Sequence, residues 1–536
     1  MRSAVIDDIQ EYCRKHGRLV LLSVIVSVVC FGFLVFSDNI RIDTEELINR
    51  PGSTLGWLTI GRYGLVLFKR LLGLGTHTVW KSGLLFLLFF TAGANLLTFA
   101  FYHFSGKEEK YGYWSFLLLY VTSNIWSYQI YFSLQQAEVA LAMLLILAAA
   151  FLAMRACFLA NGRGNAVRMA LALIFLVLGL GAYQALASYY IAICAALFLV
   201  CLDRGIAKRT LGGAAVLIVH FGISYIVYNL IANRWFMAAS EYMQDQKGWG
   251  RMTAVDCVKC VLRTVKNVLI GYGPRNFSFY TLGLIMVLVT VGILWKRKRF
   301  RGFGMTMRLL ALAVLFFSPF LMTLYMGEML VTRSQFALPV AAAFLAMYGM
   351  RWLRELCSEG SRDLTAGRHR DWRWTGKAAV FLVCLTAVIQ VGYCFRLAYT
   401  DDERYRQDVE FTEQILAELT AACQGTMPRQ PVICVGYHMP EKDRWYARTE
   451  MYGWSFYEWD YSVQNPTGAT HRIDGFIQAY AGIVMNEEIS DEMRVSAAAI
   501  ARDMPDFPAE GSVKVTEDFV VVRLSEAEER TDLNWW

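Results

Sequence analysis

Leu19-Val-Leu-Leu-Ser-Val-Ile-Val-Ser-Val-Val-Cys-Phe-Gly-Phe-Leu-Val-Phe36 is an uncharged run, and Ser37-Asp38-Asn39-Ile40-Arg41-Ile42-Asp43-Thr44-Glu45-Glu46 follows it directly. The first stretch decides the fold class. A hydrocarbon core about 30 Å thick is crossed by about 20 apolar residues in a helix. The run is too long for the apolar part of a signal peptide, and no small-residue cleavage site follows, so it reads as a retained span. The second stretch places four carboxylates (Asp38, Asp43, Glu45 and Glu46) at the mouth of that span.

Comparable runs recur outward from it. With 19–36 they are 79–101, 113–127, 137–154, 169–186, 187–202, 211–231, 279–295, 306–324, 334–350 and 377–394, about eleven spans in all. The composition agrees: 56% hydrophobic, 18% charged and a mean hydropathy of +0.37. Soluble domains rarely join so much apolar content to so little charge. The expected fold class is a polytopic all-α membrane protein.

Short loops rich in Lys and Arg mark the cytoplasmic side. Arg155, Arg163 and Arg168 flank one loop; Arg204, Lys208 and Arg209 flank another against Asp203 alone. Residues 296–299 with Arg301 and Arg308 form a third, and 351–377 carries seven Lys/Arg against four acids. These loops share a side with the N-terminal Arg2, Lys15 and Arg18. The N-terminus is therefore expected in the cytoplasm, and the loops 37–78 and 233–278 outside. Residues 395–536 hold 13 Lys/Arg and 26 Asp/Glu, a net −13 that leaves +20 for the remainder of a chain of charge +7. A basic membrane domain (1–394) thus precedes an acidic extracytoplasmic domain (395–536). Membrane lipids are expected partners; nucleic acid is not.

Within the outer loop 233–278, Lys259, Arg263 and Lys266 recur at helical spacing opposite Val258, Val261, Leu262 and Val265. That pattern suits an amphipathic helix on the membrane surface, which either anchors there or also holds a lipid phosphate. The acidic part reads as a small α/β domain: a helix at 404–423, strands at 431–436 and 519–524, and a helix near 470–484. The twelve cysteines sit mostly in apolar runs. Cys257-Val-Lys-Cys260 has no second ligand pair, so no metal site is assigned.

Carboxylates at a bilayer face are costly unless solvated or paired, which makes the 38–46 cluster a candidate site rather than only a loop cap. Arg41 lies inside it and Arg62 follows in a semi-apolar stretch. A transferase using a lipid-phosphate sugar needs both residue types. A carboxylate takes the acceptor's proton, and guanidinium groups stabilise the departing phosphate. Arg333 falls at the outer end of a span, to bind phosphate or to snorkel. Tyr183 and Gln184 fall in a short outer turn, to bind sugar hydroxyls or to cap two helices. Glu138 opens the fourth span beside Gln135 and Gln136, facing either a cavity or the interface.

Asp43-Thr-Glu45-Glu46 followed by Trp57-x-x-x-Gly61-Arg62 resembles the bacterial glucosyltransferases that modify O-antigen, the glucosyl transferase type II family. Gly181-Ala-Tyr183-Gln184-Ala, Gly327-Glu328 to Arg333 with Ala337-Leu-Pro339, and Gly453-Trp-Ser-Phe-Tyr-Glu-Trp459 extend the resemblance over most of the chain. The resemblance implies a GT-C-like enzyme of the bacterial cytoplasmic membrane. It also implies a polyprenyl-phosphate sugar donor, an inverting transfer, and a surface polysaccharide or lipid-linked saccharide as acceptor. Some members carry an Asp-Asp pair where this chain has Asp38-Asn39 and Asp43-Thr-Glu45. The base is accordingly expected at Asp43, with Glu45 and Glu46 next. Arg41, Arg62, Glu138, Tyr183, Gln184 and Arg333 are the expected substrate-binding residues. No cofactor is expected, although such carboxylates can hold a divalent ion. The rival reading, a lipid-linked sugar flippase or transporter, requires ionisable residues at mid-span and paired broken helices; here polar groups gather at the outer ends.

Overall fold

The computed structural model describes residues 4–160, 162, 164–205, 210–236, 247–271, 279–296, 302–360, 373–485 and 488–526. Of the loop cations, Arg2, Arg163, Lys208, Arg209, residues 297–299, Arg301, Arg362, Arg368 and Arg370 lie outside the described residues. Eight helices are long and apolar enough to cross a membrane: Val5–Phe36, Val79–Phe104, Gln136–Leu159, Gly164–Ala182, Leu186–Asp203, Leu211–Trp235, Phe303–Met326 and Trp374–Ala422. Each covers one expected span.

The other three expected spans differ. The segment 279–295 is a helix of 17 residues, Tyr280–Lys296, about 25 Å long at 1.5 Å per residue. The segment 334–350 opens the 24-residue helix Ala337–Gly360, whose second half carries Arg351, Arg354 and Glu355. The segment 113–127 is not one span. It is two helices, Tyr113–Val121 and Ile125–Tyr131, broken at Thr122-Ser123-Asn124. The break is satisfied from the side: Thr122 Oγ1 lies 2.8 Å from Leu118 O and 2.7 Å from Gln390 Oε1. Trp126 Nε1 donates to Tyr120 O at 2.6 Å. Nearly every residue of 113–131 is buried, which is the condition for irregular backbone at membrane depth.

Successive helices alternate in direction, so the loops sort to two ends. At one end Asp203 is buried among Arg308 (3.2 Å), Arg351 (3.1 Å) and the hydroxyls of Tyr111 (3.0 Å) and Tyr348 (3.2 Å). The other end holds the loop after the first helix, folded into Thr44–Asn49, Leu55–Thr59 and Tyr63–Leu72. The last of these lies tightly on the end of Gly164–Ala182. A Cβ on Gly64 would stand 2.5 Å from Leu178 O, and one on Gly181 would stand 2.6 Å from the Tyr63 ring. The Gly61–Gly64 and Gly181–Gln184 motifs are therefore two sides of one contact.

The final span does not end at 394. Arg373–Ala422 is one continuous helix of 50 residues, about 75 Å long, which carries the chain from the bundle into the tail. The tail's sheet has the order β1-β3-β2, with β1 Val432–Val435, β2 Val513–Val515 and β3 Val520–Arg523. β1 and β3 are parallel in the register Val432↔Val520, and the apolar runs of the edge strand β1 and the central strand β3 are both buried. Thr470–Ala481 flanks the sheet and stops at Gly482, whose φ of +69° ends the helix. A further helix, Asp491–Ala501, is capped by the Ser490 hydroxyl. The tail is not a detached unit. Ala447, Met451, Tyr452, Phe456 and Phe476 belong to the bundle's own apolar core, and Tyr452 Oη donates to Ser127 O at 2.8 Å.

Candidate functional site

The residues leading into Thr44–Asn49 are pinned from below. Arg41 is fully buried; its Nε donates to Asp401 Oδ2 at 2.9 Å and its NH2 to Ser37 Oγ at 2.7 Å. Arg404 continues the chain, donating to Ile40 O (3.0 Å), Asp401 (3.1 Å) and Asp408 (3.0 Å). Asp408 then accepts from Ser455 of the tail. Arg41 thus ties the loop to the long helix and does not line the cavity that Asp43 enters. A buried guanidinium between carboxylates is a scaffold, and removing one partner strands the other charge.

Held this way, the backbone turns at Asp43 into the left-handed region, with φ +66° and no side-chain capping bond to the helix it precedes. Asp tolerates this conformation at a cost of about 1 kcal/mol. The turn frees the Asp43 carboxylate to meet Arg472 from the tail. One Arg472 guanidinium reaches three carboxylates: Asp43 Oδ1 at 3.1 Å, Glu45 Oε1 at 2.9 Å and Asp460 Oδ2 at 2.8 Å. Asp460 is also left-handed, with φ +63°. Burial, helped by the nearby Asp43 charge, pushes the Glu45 carboxyl up to about 7 against the pull of Arg472. Burial alone would lower Arg472, but Asp43 and Glu45 outweigh it and hold the guanidinium firmly cationic. Glu46 is exposed and faces His471 at 3.6 Å; that contact lowers the Glu46 carboxyl and raises the imidazole.

Asp43, Asp460 and Arg472 line a cavity of about 620 Å³. Arg333 and Glu450 line it as well, and so do Arg263 and Cys260 of the helix Ala254–Ile270. Glu328, paired with Arg251 at 2.6 Å, also lines it, and Ile42, Phe132, Met252, Met329, Leu330, Val331, Met451 and Trp459 make the remainder apolar. Arg333 Cζ stands 4.1 Å over the Phe132 ring, and its NH1 lies 3.9 Å from Glu450 Oε1. The Glu450 carboxylate also accepts from Thr332 N.

Tyr183 joins Arg333 to Arg62. Arg62 Cζ stands 4.5 Å over the Tyr183 ring, and the Tyr183 hydroxyl is 3.3 Å from Ser334 Oγ. Burial raises this phenol, but the Arg333 and Arg62 guanidinium groups outweigh it and hold Tyr183 below its ordinary value. Arg62 NH1 donates to Gln135 Oε1 at 3.3 Å, while its Nε is buried without a partner. Two cations are thus held beside one phenol, with Glu450 near one of them and one Arg62 donor unused.

The sequence expectations therefore divide. Asp43 and Arg333 share the cavity, and Arg62 and Tyr183 lie one contact behind Arg333. Glu45 is buried beside Asp43, and Glu45 and the exposed Glu46 line a separate, smaller cavity of about 190 Å³ against the helix Thr470–Ala481. Gln184 donates to Ile60 O at 2.8 Å and so closes the loop turn. Glu138 faces no described cavity: Lys69 Nζ sits 2.6 Å from its Oε1, both side chains fully buried. Sequence reasoning missed Arg472, Glu450 and Asp460. Only the tail motif at 453–459 hinted at them, since it inserts into the bundle between Glu450 and Asp460.

The chain matches the family model described as Glucosyl transferase GtrII over residues 32–350. The match takes in the acidic loop, Arg62, Tyr183 and Arg333 and ends before the tail. No curated protein and no solved structure matches the chain.

Proposed function

The chain belongs to the glucosyl transferase GtrII family, a membrane glycosyltransferase, and from that premise we propose that it moves a hexose, glucose by family, from a polyprenyl-phosphate donor to a surface polysaccharide or lipid-linked saccharide on the outer face of the bacterial cytoplasmic membrane. One observation carries this reading. A half-exposed carboxylate, Asp43, and a cation set led by Arg333 open into one cavity whose remaining lining is largely apolar.

In the proposed reaction the acceptor hydroxyl gives its proton to Asp43 as its oxygen attacks the sugar's anomeric carbon. The bond from that carbon to the donor phosphate oxygen breaks, and the lipid phosphate leaves with the bonding pair. Arg333, supported by Tyr183 and Arg62, stabilises the charge that forms there. Attack opposite the leaving group inverts the anomeric centre. The apolar wall suits the first isoprene units of the donor, and Trp459 offers a ring for the sugar.

The test uses the full-length protein in lipid nanodiscs with polyprenyl-phosphate [14C]glucose and a surface glycan. Asp43→Asn should lose between about 10²- and 10⁴-fold in transfer rate, the usual worth of a positioned base, with thermal stability nearly unchanged. Full transfer by a folded Asp43→Asn protein would remove Asp43 from the chemistry.

A further inference from the structure

A second cavity, of about 300 Å³, lies at the opposite end of the bundle, lined by Asp8, His103, Lys107, Arg155 and Arg204 among others. Its residues sit at the far ends of helices whose near ends carry Gln135 and Tyr183. Arg155 and Arg204 make no ion pair among the described residues. Lys107 is matched by Asp8 at 2.7 Å and by Glu11, and His103 Nδ1 lies 2.8 Å from Asp8 Oδ2. With Asp8 and Glu11 set against Lys107, Arg155 and Arg204, the hollow and its rim keep a net positive charge of one, and both guanidinium groups face it. His103 adds an Nε2 that is buried without a partner.

The backbone is shaped to present these groups. Residues Arg155–Leu159 form a π-helical turn, closed by Ala160 N donating to Arg155 O at 2.8 Å. Asn165 Nδ2 clamps that turn from across the loop, 3.0 Å from both Ala156 O and Ala160 O. Single π turns recur at functional sites because the extra residue re-aims a side chain. Lys107 has a φ of +70°. Gly106 beside it has no side chain, and the Arg204 guanidinium occupies that space; a Cβ would stand 3.1 Å from Arg204 Nε.

We propose that this cavity binds a phosphate-bearing anion, seated between Arg155, Arg204 and Lys107, at the end of the molecule away from sugar transfer. The chemistry is charge-assisted hydrogen bonding to phosphate oxygens. Basic hollows at helix ends take the headgroups of anionic lipids in this way, and a soluble phosphate offers the same oxygens. The inference is independent of the transfer reaction.

Native mass spectrometry of the full-length protein, released from detergent with phosphatidylglycerol or phosphatidylcholine of matched chains, tests it. The protein should retain phosphatidylglycerol in preference to phosphatidylcholine. Arg155→Gln/Arg204→Gln should weaken that retention about 25-fold, at about fivefold for each cation near an anionic headgroup; the Arg155→Lys/Arg204→Lys protein should largely keep it. Displacement of the lipid by millimolar inorganic phosphate assigns the site to soluble phosphates as well. Retention in its presence assigns the site to the lipid alone. If the glutamine variant fails to fold, salt titration of the unmodified protein decides, since the preference must fall with ionic strength. Equal retention of the two lipids, or a preference insensitive to salt and to the glutamine substitutions, overturns the proposal.

Discussion

Replacing Glu45 by Gln should change how stability depends on pH, by an amount the structure sets. Glu45 is buried with 2% of its surface exposed, next to Asp43 and bound to Arg472 at 2.9 Å. Its carboxyl titrates at about 7 in the folded protein against an ordinary value of 4.5. Below pH 4.5 the group is protonated in both states. Between 4.5 and 7 the unfolded chain has released the proton and the folded chain has not, so stability falls as pH rises; above 7 the loss is complete. The full loss is about 3 kcal/mol, at 1.36 kcal/mol for each decade of proton affinity. Gln keeps the shape and cannot ionise, so this part of the pH dependence should vanish. The assay is the melting temperature of wild type and Glu45→Gln in nanodiscs at pH 5 and pH 8. Other titrating groups act equally in both proteins, so the difference of differences isolates Glu45. The gap should move in favour of Gln by a few degrees from pH 5 to pH 8. An equal pH slope in the two proteins would show that Glu45 is not buried as a costly charge.

Two further substitutions probe the same region. Arg472→Met removes the one cation shared by Asp43, Glu45 and Asp460; it should loosen the tail from the loop, at a cost of about 2 kcal/mol for a partly exposed bridge. Limited proteolysis should then cut the tail faster while the apolar spans stay protected; unchanged cleavage would dismiss the clamp. Asp401→Ala leaves Arg41 and Arg404 buried without their shared carboxylate and should cost about 3–5 kcal/mol, read as lost yield of folded protein and a lowered melting temperature. Asp401→Asn, which keeps an acceptor, should cost less.

The spans were legible because a fixed rise per residue against a fixed hydrocarbon thickness leaves little freedom. The break at Thr122-Ser123-Asn124 was not legible. Three small polar residues inside an apolar run fit a continuous helix equally well, and what stabilises the break is Gln390, far along the chain. Asp43 was legible as a carboxylate at a membrane mouth, and Arg333 as a cation at a span's end. The partner of Arg41 was not legible, since Asp401 stands 360 residues away. The same holds for Arg472, 429 residues from Asp43. In sequence it sits in His471-Arg472-Ile-Asp474, which looks like the wet face of a surface helix. Charge type and local spacing expose candidates; whether a charge is used or neutralised depends on contacts that no local pattern encodes.

The family match stops at residue 350, yet the cavity does not. Asp43 and Arg333 come from the matched part, while Arg472, Glu450, Asp460 and Trp459 come from the tail. Charge is divided unevenly between the walls. The bundle contributes Arg333, with Arg62 and Tyr183 behind it, together with Arg263 and Glu328; the loop and tail contribute Asp43, Asp460 and Glu450 around the single Arg472, an excess of carboxylate. On the proposed reaction a lipid phosphate belongs at the first wall, against the apolar spans, and an acceptor hydroxyl at the second. The 50-residue helix joins the two without a hinge in its backbone, and the buried chain Arg41–Asp401–Arg404–Asp408 fastens the loop to that helix. The tail therefore supplies part of the cavity: its Arg472 sets the charge around Asp43, and its Glu450, Met451, Trp459 and Asp460 join the lining. A chain cut after residue 394 would retain Asp43 and Arg333 and lose Glu450, Trp459, Asp460 and Arg472 from the cavity, and on the proposed reaction it should lose transfer.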